Sequence, residues 1–119
     1  MIKMKKNSYL IFCVSCLLFP IYFGCDKNEY KDLDCSNEQA SFTNEIQPII
    51  QSNCMSSGCH ELNSKNGDFS AYSGIKGKAN NGSINRRVLI EKDMPPSNAL
   101  TLAERKKIKC WLDNGAQNN

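Results

Sequence analysis

This 119-residue chain has no long apolar run, a single histidine and little net charge, and these shortages limit the classes of protein to which it can belong. The longest apolar run, residues 9–23, spans 15 residues, short of the roughly 20 that a membrane-crossing helix needs. No Asp or Glu precedes Asp26, whereas Lys3, Lys5 and Lys6 do, and positive and negative side chains balance after residue 24. That balance excludes the basic surface that nucleic-acid binding requires, so we expect no nucleic-acid partner.

A basic start followed by a short apolar run is typical of an export signal, which we predict over residues 1–24. Residues 21–25 resemble the lipobox of bacterial lipoproteins, in which a small residue precedes the cysteine that receives lipid. Here Gly24 precedes Cys25. The resemblance implies a lipid anchor on Cys25 that holds an exported protein at the bacterial cell envelope, on the periplasmic or outer-surface side. The alternative is ordinary cleavage near Gly24, which would release a secreted product.

The next segment is too polar to fold on its own. Residues 26–34 are mostly charged and contain few apolar groups. We therefore predict a tether over residues 25–40 and one domain over residues 41–119. A domain of this length builds a thin hydrophobic core and usually needs a disulfide, a metal or a cofactor to hold it together.

The predicted domain shows helical patterns, with no alternating strand runs and no repeats. Ile46, Ile49 and Ile50 lie at helical spacing and predict a helix over about residues 44–53, provided that Pro48 falls near its first turn. Weaker patterns predict a short helix over residues 72–79, and either a helix or extended chain over residues 86–91.

The last helix has the clearest signals. Thr101 and Glu104 form a capping-box pattern ahead of a helix over residues 102–114, and Gly115 is placed to terminate it. Trp111 falls on the apolar stripe of this helix and is predicted to be a core residue first. Together the patterns predict an all-α fold.

Two nearby cysteines precede the single histidine of the chain, as Cys54, Cys59 and His60. Covalent haem attachment needs two thiols near the two vinyl groups of the porphyrin and an imidazole directly after the second thiol, usually as C-x-x-C-H. Four residues separate the cysteines here, and small residues at 56–58 permit the longer loop to bulge. A lone histidine is usually incidental, but in this position it is predicted to be the proximal iron ligand.

Methionine is the remaining choice for a sixth ligand, because no second histidine exists. Met1 and Met4 belong to the predicted signal, and Met55 lies within the attachment segment, which leaves Met94. The two prolines that follow Met94 stiffen its loop. Considered without the cysteine-histidine segment, Met94 would be better interpreted as a core residue at a turn.

The order of these segments resembles cytochrome c family domains of the type with four residues between the haem cysteines. An Ile-Pro helix precedes the Cys-His segment, and a Met-Pro-Pro loop and a Trp-bearing helix follow it, over roughly residues 41–116. The resemblance implies a small helical bundle around one covalent haem c, and a single-electron carrier, not an enzyme, that serves redox partner proteins. The residues it implies are Cys54 and Cys59 for attachment, and His60 and Met94 as axial iron ligands.

Two further sets of residues have open interpretations. Cys35 and Cys110 are left over, and in an oxidising compartment they either pair, which would tie the tether to the last helix, or remain small buried residues. Arg86 and Arg87 suggest a partner for a haem propionate, although adjacent arginines are more often solvated.

Two rival hypotheses dispense with haem. Cys54, Cys59, His60 and Cys110 are a possible structural zinc set, for which the adjacent Cys59 and His60 are awkwardly placed. Alternatively, Cys54 and Cys59 form a disulfide in a small exported binding domain.

Overall fold

The computed structural model describes residues 33–97 and 99–119. The predicted signal over residues 1–24 and the predicted lipidation site Cys25 lie outside the described residues. Within the described part the regular elements are helices and no strand occurs, which confirms the all-α prediction at that level. No helix in this part combines the length and the apolar character that a membrane crossing requires.

The first helix has two differently wound parts. A π-helical segment, Phe42–Ile46 (π1), runs directly into an α-helix, Gln47–Cys54 (α1). Ser41 caps its start, since the Ser41 hydroxyl oxygen accepts a hydrogen bond from the Asn44 N–H at 3.3 Å. Pro48 lies in the first turn of α1, where its missing N–H costs little. The predicted helix is confirmed, and its helical winding begins two residues earlier than predicted.

Two short elements follow in the middle of the chain. Tyr72–Asn80 forms α2, which confirms the predicted short helix, and Asn85–Ile90 forms a second π-helical segment (π2). Of the two conformations left open for residues 86–91, the helical one is therefore observed. Val88 and Leu89 of π2 are buried, because α3 packs against this segment.

The last helix, α3, spans Leu102–Asp113 and has both hydrogen bonds of the capping box. The Glu104 N–H donates to the Thr101 hydroxyl, and the Glu104 carboxylate accepts from the Thr101 N–H at 2.8 Å. Gly115 follows at φ +82°, a conformation that favours glycine and ends the helix as predicted.

Trp111 organises the core beside α3. Its ring packs 5.8 Å from that of Phe42, which in turn meets Tyr72 edge-on at 4.9 Å. Trp111 Nε1–H donates to the Gln117 carbonyl, and the Tyr72 hydroxyl donates to the Ala116 carbonyl, both at 2.8 Å. These bonds hold the C-terminal segment over the core, and they confirm Trp111 as a core residue.

A disulfide joins Cys35 to Cys110, with the two Cα atoms 5.3 Å apart. It links positions separated by 75 residues, and loop-closure entropy alone would make it worth about 4 kcal/mol. Glu38 adds an ion pair with Lys106 at 3.2 Å, and Ala40 is buried. The later part of the predicted tether therefore lies against α3.

Two glycines of α2 differ in their surroundings. A Cβ at Gly74 would collide with the backbone carbonyl of Asp68, so α2 approaches the loop before it as closely as glycine allows. A Cβ at Gly77 would meet nothing within 4 Å.

We therefore predict opposite effects of alanine at these two positions. Gly74→Ala should destabilise the protein by about 1–3 kcal/mol through the collision with the Asp68 backbone. Gly77→Ala should stabilise it by about 0.5–1 kcal/mol, because alanine favours a helix interior. Urea unfolding of the purified proteins measures both, and equal midpoints for Gly74→Ala and wild type would contradict the close packing.

Candidate functional site

A cavity of about 480 Å³ lies among α1, π2, α3 and the loops that connect them. Its size is within the range of roughly 300–1,000 Å³ that is usual for small-molecule and cofactor sites. The walls are largely apolar. The apolar lining comprises Ile50, Phe69, Ile84, Val88, Pro95, Pro96, Leu100 and Ile108.

All four residues of the sequence-based haem hypothesis line this one cavity. They are Cys54, Cys59, His60 and Met94. The first ends α1, the next two lie in the loop after it, and Met94 belongs to the separate loop between π2 and α3. The fold thus brings two thiols, an imidazole and a thioether from two distant parts of the sequence to one space.

The loop between the two cysteines is closed by its own hydrogen bonds. The His60 N–H donates to the Cys54 carbonyl at 3.1 Å, and the Cys59 N–H donates to the Ser56 carbonyl at 2.9 Å. Gly58 adopts φ +81°, which a residue with a side chain rarely does. The four residues between Cys54 and Cys59 therefore form a compact turn.

Glu61 holds this turn from outside. Its carboxylate accepts a hydrogen bond from the Gly58 N–H at 2.8 Å, and this backbone contact lowers the pKa of Glu61. Sequence reasoning missed this contact, because a carboxylate that follows a histidine has no pattern to distinguish it from an ordinary surface acid.

The two thiols are free and partly buried. Burial raises the pKa of Cys54 to about 11, and the neighbouring Cys59 adds a smaller contribution in the same direction. Cys54 is therefore overwhelmingly protonated at neutral pH.

The ring of His60 is fixed in both orientation and tautomer. Its Nδ1 lies 3.0 Å from the Gly67 carbonyl oxygen, which can only accept, so Nδ1 is the donor and the lone pair of the neutral ring is on Nε2. Phe69 stacks on the ring with centroids 4.1 Å apart and planes 7° from parallel. A ligating histidine needs a partner of this kind for its second nitrogen.

The loop that carries Met94 is attached to π2 by hydrogen bonds. The Arg87 carbonyl accepts hydrogen bonds from the N–H groups of Asp93 and Met94, at 3.0 and 3.2 Å. The Arg87 guanidinium also donates to the Asp93 carboxylate, with Nη2 and Oδ2 2.6 Å apart. The hydrogen bonds from the Arg87 guanidinium lower the pKa of the Asp93 carboxyl group.

The charged lining of the cavity is positive. Lys78, Arg86 and Arg87 line it, and no Asp or Glu of the described residues does. Arg86 pairs with Glu91 at 3.2 Å, and Arg87 pairs with Asp93. The two arginines proposed for a propionate are therefore each already paired with a carboxylate of the chain itself.

The donor set fits haem better than it fits zinc. Cys110, one of the four proposed zinc ligands, is bonded to Cys35 and is unable to ligate a metal in that state. Over residues 33–97 and 99–119, no group of three or more His, Cys, Asp or Glu side chains is placed to hold a metal ion. The two thiols and one imidazole that line the largely apolar cavity are the groups that covalent haem attachment uses.

No family model matches this chain, and no match was found among curated proteins or solved structures. The functional proposal therefore depends on the chemistry of the cavity.

The raised pKa of Cys54 predicts slow alkylation before haem attachment. The thiolate is the reactive species, so at pH 8 the folded, haem-free chain should react with iodoacetamide at Cys54 about 100-fold more slowly than a free thiol. Peptide mapping by mass spectrometry separates this cysteine from the others, and the same chain in urea is the control. Equal rates with and without urea would contradict the burial of Cys54.

Proposed function

We propose that this protein is a c-type cytochrome that carries single electrons on one covalent haem c. Cys54 and Cys59 would hold the haem, with His60 and Met94 as the axial iron ligands. The observation that carries the proposal is that these four side chains line one cavity. A chance cysteine-histidine motif has no reason to share its cavity with the one methionine that the hypothesis selected.

The surroundings of the four residues support the same proposal. When bound, haem supplies one-electron exchange between ferric and ferrous iron. The apolar walls would exclude water from such a group, and Lys78 at the cavity would suit one of its two carboxylates. The hydrogen bond from His60 Nδ1 to Gly67 leaves Nε2 as the ligand atom and increases its basicity.

Met94 would influence the reduction potential of the haem. A thioether ligand such as that of Met94 favours the ferrous state and raises the potential. If His60 and Met94 both ligated the iron, no coordination position would stay open for a substrate. We therefore propose an electron carrier with redox partner proteins, and not an enzyme.

We also propose that the protein is exported and anchored through lipid on Cys25. The disulfide between Cys35 and Cys110 supports export, because such bonds persist in oxidising compartments. Cytochrome c maturation requires free thiols at the attachment site, and Cys54 and Cys59 are both free here.

The test begins with expression in a host that carries a cytochrome c maturation system. We expect a sharp alpha band in the reduced-minus-oxidised spectrum, and haem stain that stays on the chain in a denaturing gel. A colourless protein from a host that matures other cytochromes would overturn the proposal. Zinc analysis and mapping of a Cys54–Cys59 disulfide would then decide between the rival functions.

Replacement of Met94 tests the axial ligand. Met94→Ala should keep the covalent haem but lose the ferric absorption band that a sulfur ligand produces, and its reduction potential should fall. Met55→Ala is the matched control, because Met55 is also partly buried and does not line the 480 Å³ cavity. Retention of the band in Met94→Ala would exclude Met94 as the ligand.

A further inference from the structure

The Met94 loop is attached to π2 by both the backbone and the side chain of one residue. The Arg87 carbonyl accepts from two successive N–H groups of the loop, those of Asp93 and Met94. The Arg87 side chain meets Asp93 in a forked contact, with Nε 3.1 Å from Oδ2 and 3.2 Å from Oδ1, and Nη2 2.6 Å from Oδ2. Such planar, two-pronged pairs fix geometry as well as adding energy.

The element that carries Arg87 is itself firmly placed. Val88 and Leu89, the next two residues, are buried, and Leu89 has no exposed surface. The buried guanidinium of Arg105 on α3 donates to the Val88 carbonyl. A loop tied to Arg87 is therefore tied to the core.

We propose that the Arg87–Asp93 ion pair is a positioning device that holds the Met94 thioether against the haem iron and sets how readily another ligand displaces it. The inference rests on the proposed function. Arg87 and Asp93 are positioning residues here, because they act through Met94.

The exposure of the pair gives this device a characteristic response. The side chains of Arg87 and Asp93 are 41% and 43% exposed, so dissolved salt reaches and screens their interaction. The fraction of protein with Met94 released then rises with ionic strength. An external ligand binds only that fraction, so its apparent affinity rises in proportion.

A neighbouring pair provides a matched control. Arg86, the residue before Arg87 in π2, pairs with Glu91 at 3.2 Å and also lines the cavity. Glu91→Gln removes the same negative charge near the haem site as Asp93→Asn does. It leaves both hydrogen bonds to the Arg87 carbonyl and the Arg87 fork in place, so a purely electrostatic effect on the iron would appear equally in both variants.

The experiment uses the full chain with haem attached, in the ferric state, and imidazole as the probe ligand. We expect Asp93→Asn to bind imidazole about three- to fivefold more tightly than wild type at low salt, as loss of an exposed forked pair implies. Glu91→Gln should stay within about twofold of wild type, since its pair does not hold Met94. Wild type should approach the Asp93→Asn value as salt rises, whereas Asp93→Asn should respond little.

Two further variants separate positioning from other effects. Arg87→Lys keeps the charge but loses the fork, and should give an intermediate imidazole affinity. The double variant Arg87→Gln/Asp93→Asn should bind imidazole no more tightly than Asp93→Asn alone, because each change removes the same interaction, the Arg87–Asp93 ion pair.

The outcomes distinguish the device from the function on which it rests. Covalent haem with the same imidazole affinity in wild type and Asp93→Asn overturns the positioning role and leaves the cytochrome proposal standing. Equal increases in Asp93→Asn and Glu91→Gln also overturn it, in favour of a general charge effect. A chain that takes up no haem overturns both proposals together.

Discussion

The buried side chains of α3 supply the contacts on which the rest of the described fold depends. Cys110 forms the disulfide with Cys35, and Trp111 packs on Phe42 at the start of the first helix. The Arg105 guanidinium donates a hydrogen bond to the Val88 carbonyl of π2, and Ile108 lines the cavity. The N-terminal segment, the first helix and π2 would have no common support without α3.

The described fold has a cavity of about 480 Å³ among α1, π2, α3 and their connecting loops. Domains of this size have thin hydrophobic cores and usually need a disulfide, a metal or a cofactor to be stable. The disulfide between Cys35 and Cys110 provides one form of help, by restricting the unfolded chain. A cofactor in the 480 Å³ cavity would provide the other, because its two faces would cover the apolar side chains that line the cavity.

Local signals predicted much of the fold and part of the site. The capping box of α3 and the spacing of Ile46, Ile49 and Ile50 gave correct helices, because both patterns act within a few residues. The cysteine-histidine segment and Met94 were selected by the chemistry that haem attachment needs, and the structure places them around one cavity.

The remaining features depend on contacts between distant residues. The Gly67 carbonyl and the Phe69 ring fix His60 through a loop conformation that leaves no pattern in the sequence. Arg86 and Arg87 suggested a propionate site, but each pairs with an acid five or six residues later. These spacings fall outside the three- and four-residue pairs of a regular α-helix. The π winding of π2 brings Arg86 and Glu91 together, and the turn after π2 brings Asp93 to Arg87.

The most direct test of the account is the location of haem on the chain. Purified protein would be digested with protease without reduction, and its peptides identified by mass spectrometry. The account predicts one haem bound to the peptide that contains Cys54, Cys59 and His60, together with a separate disulfide-linked peptide pair containing Cys35 and Cys110. A haem-free peptide in which Cys54 and Cys59 are joined to each other, or are both unmodified, would contradict it.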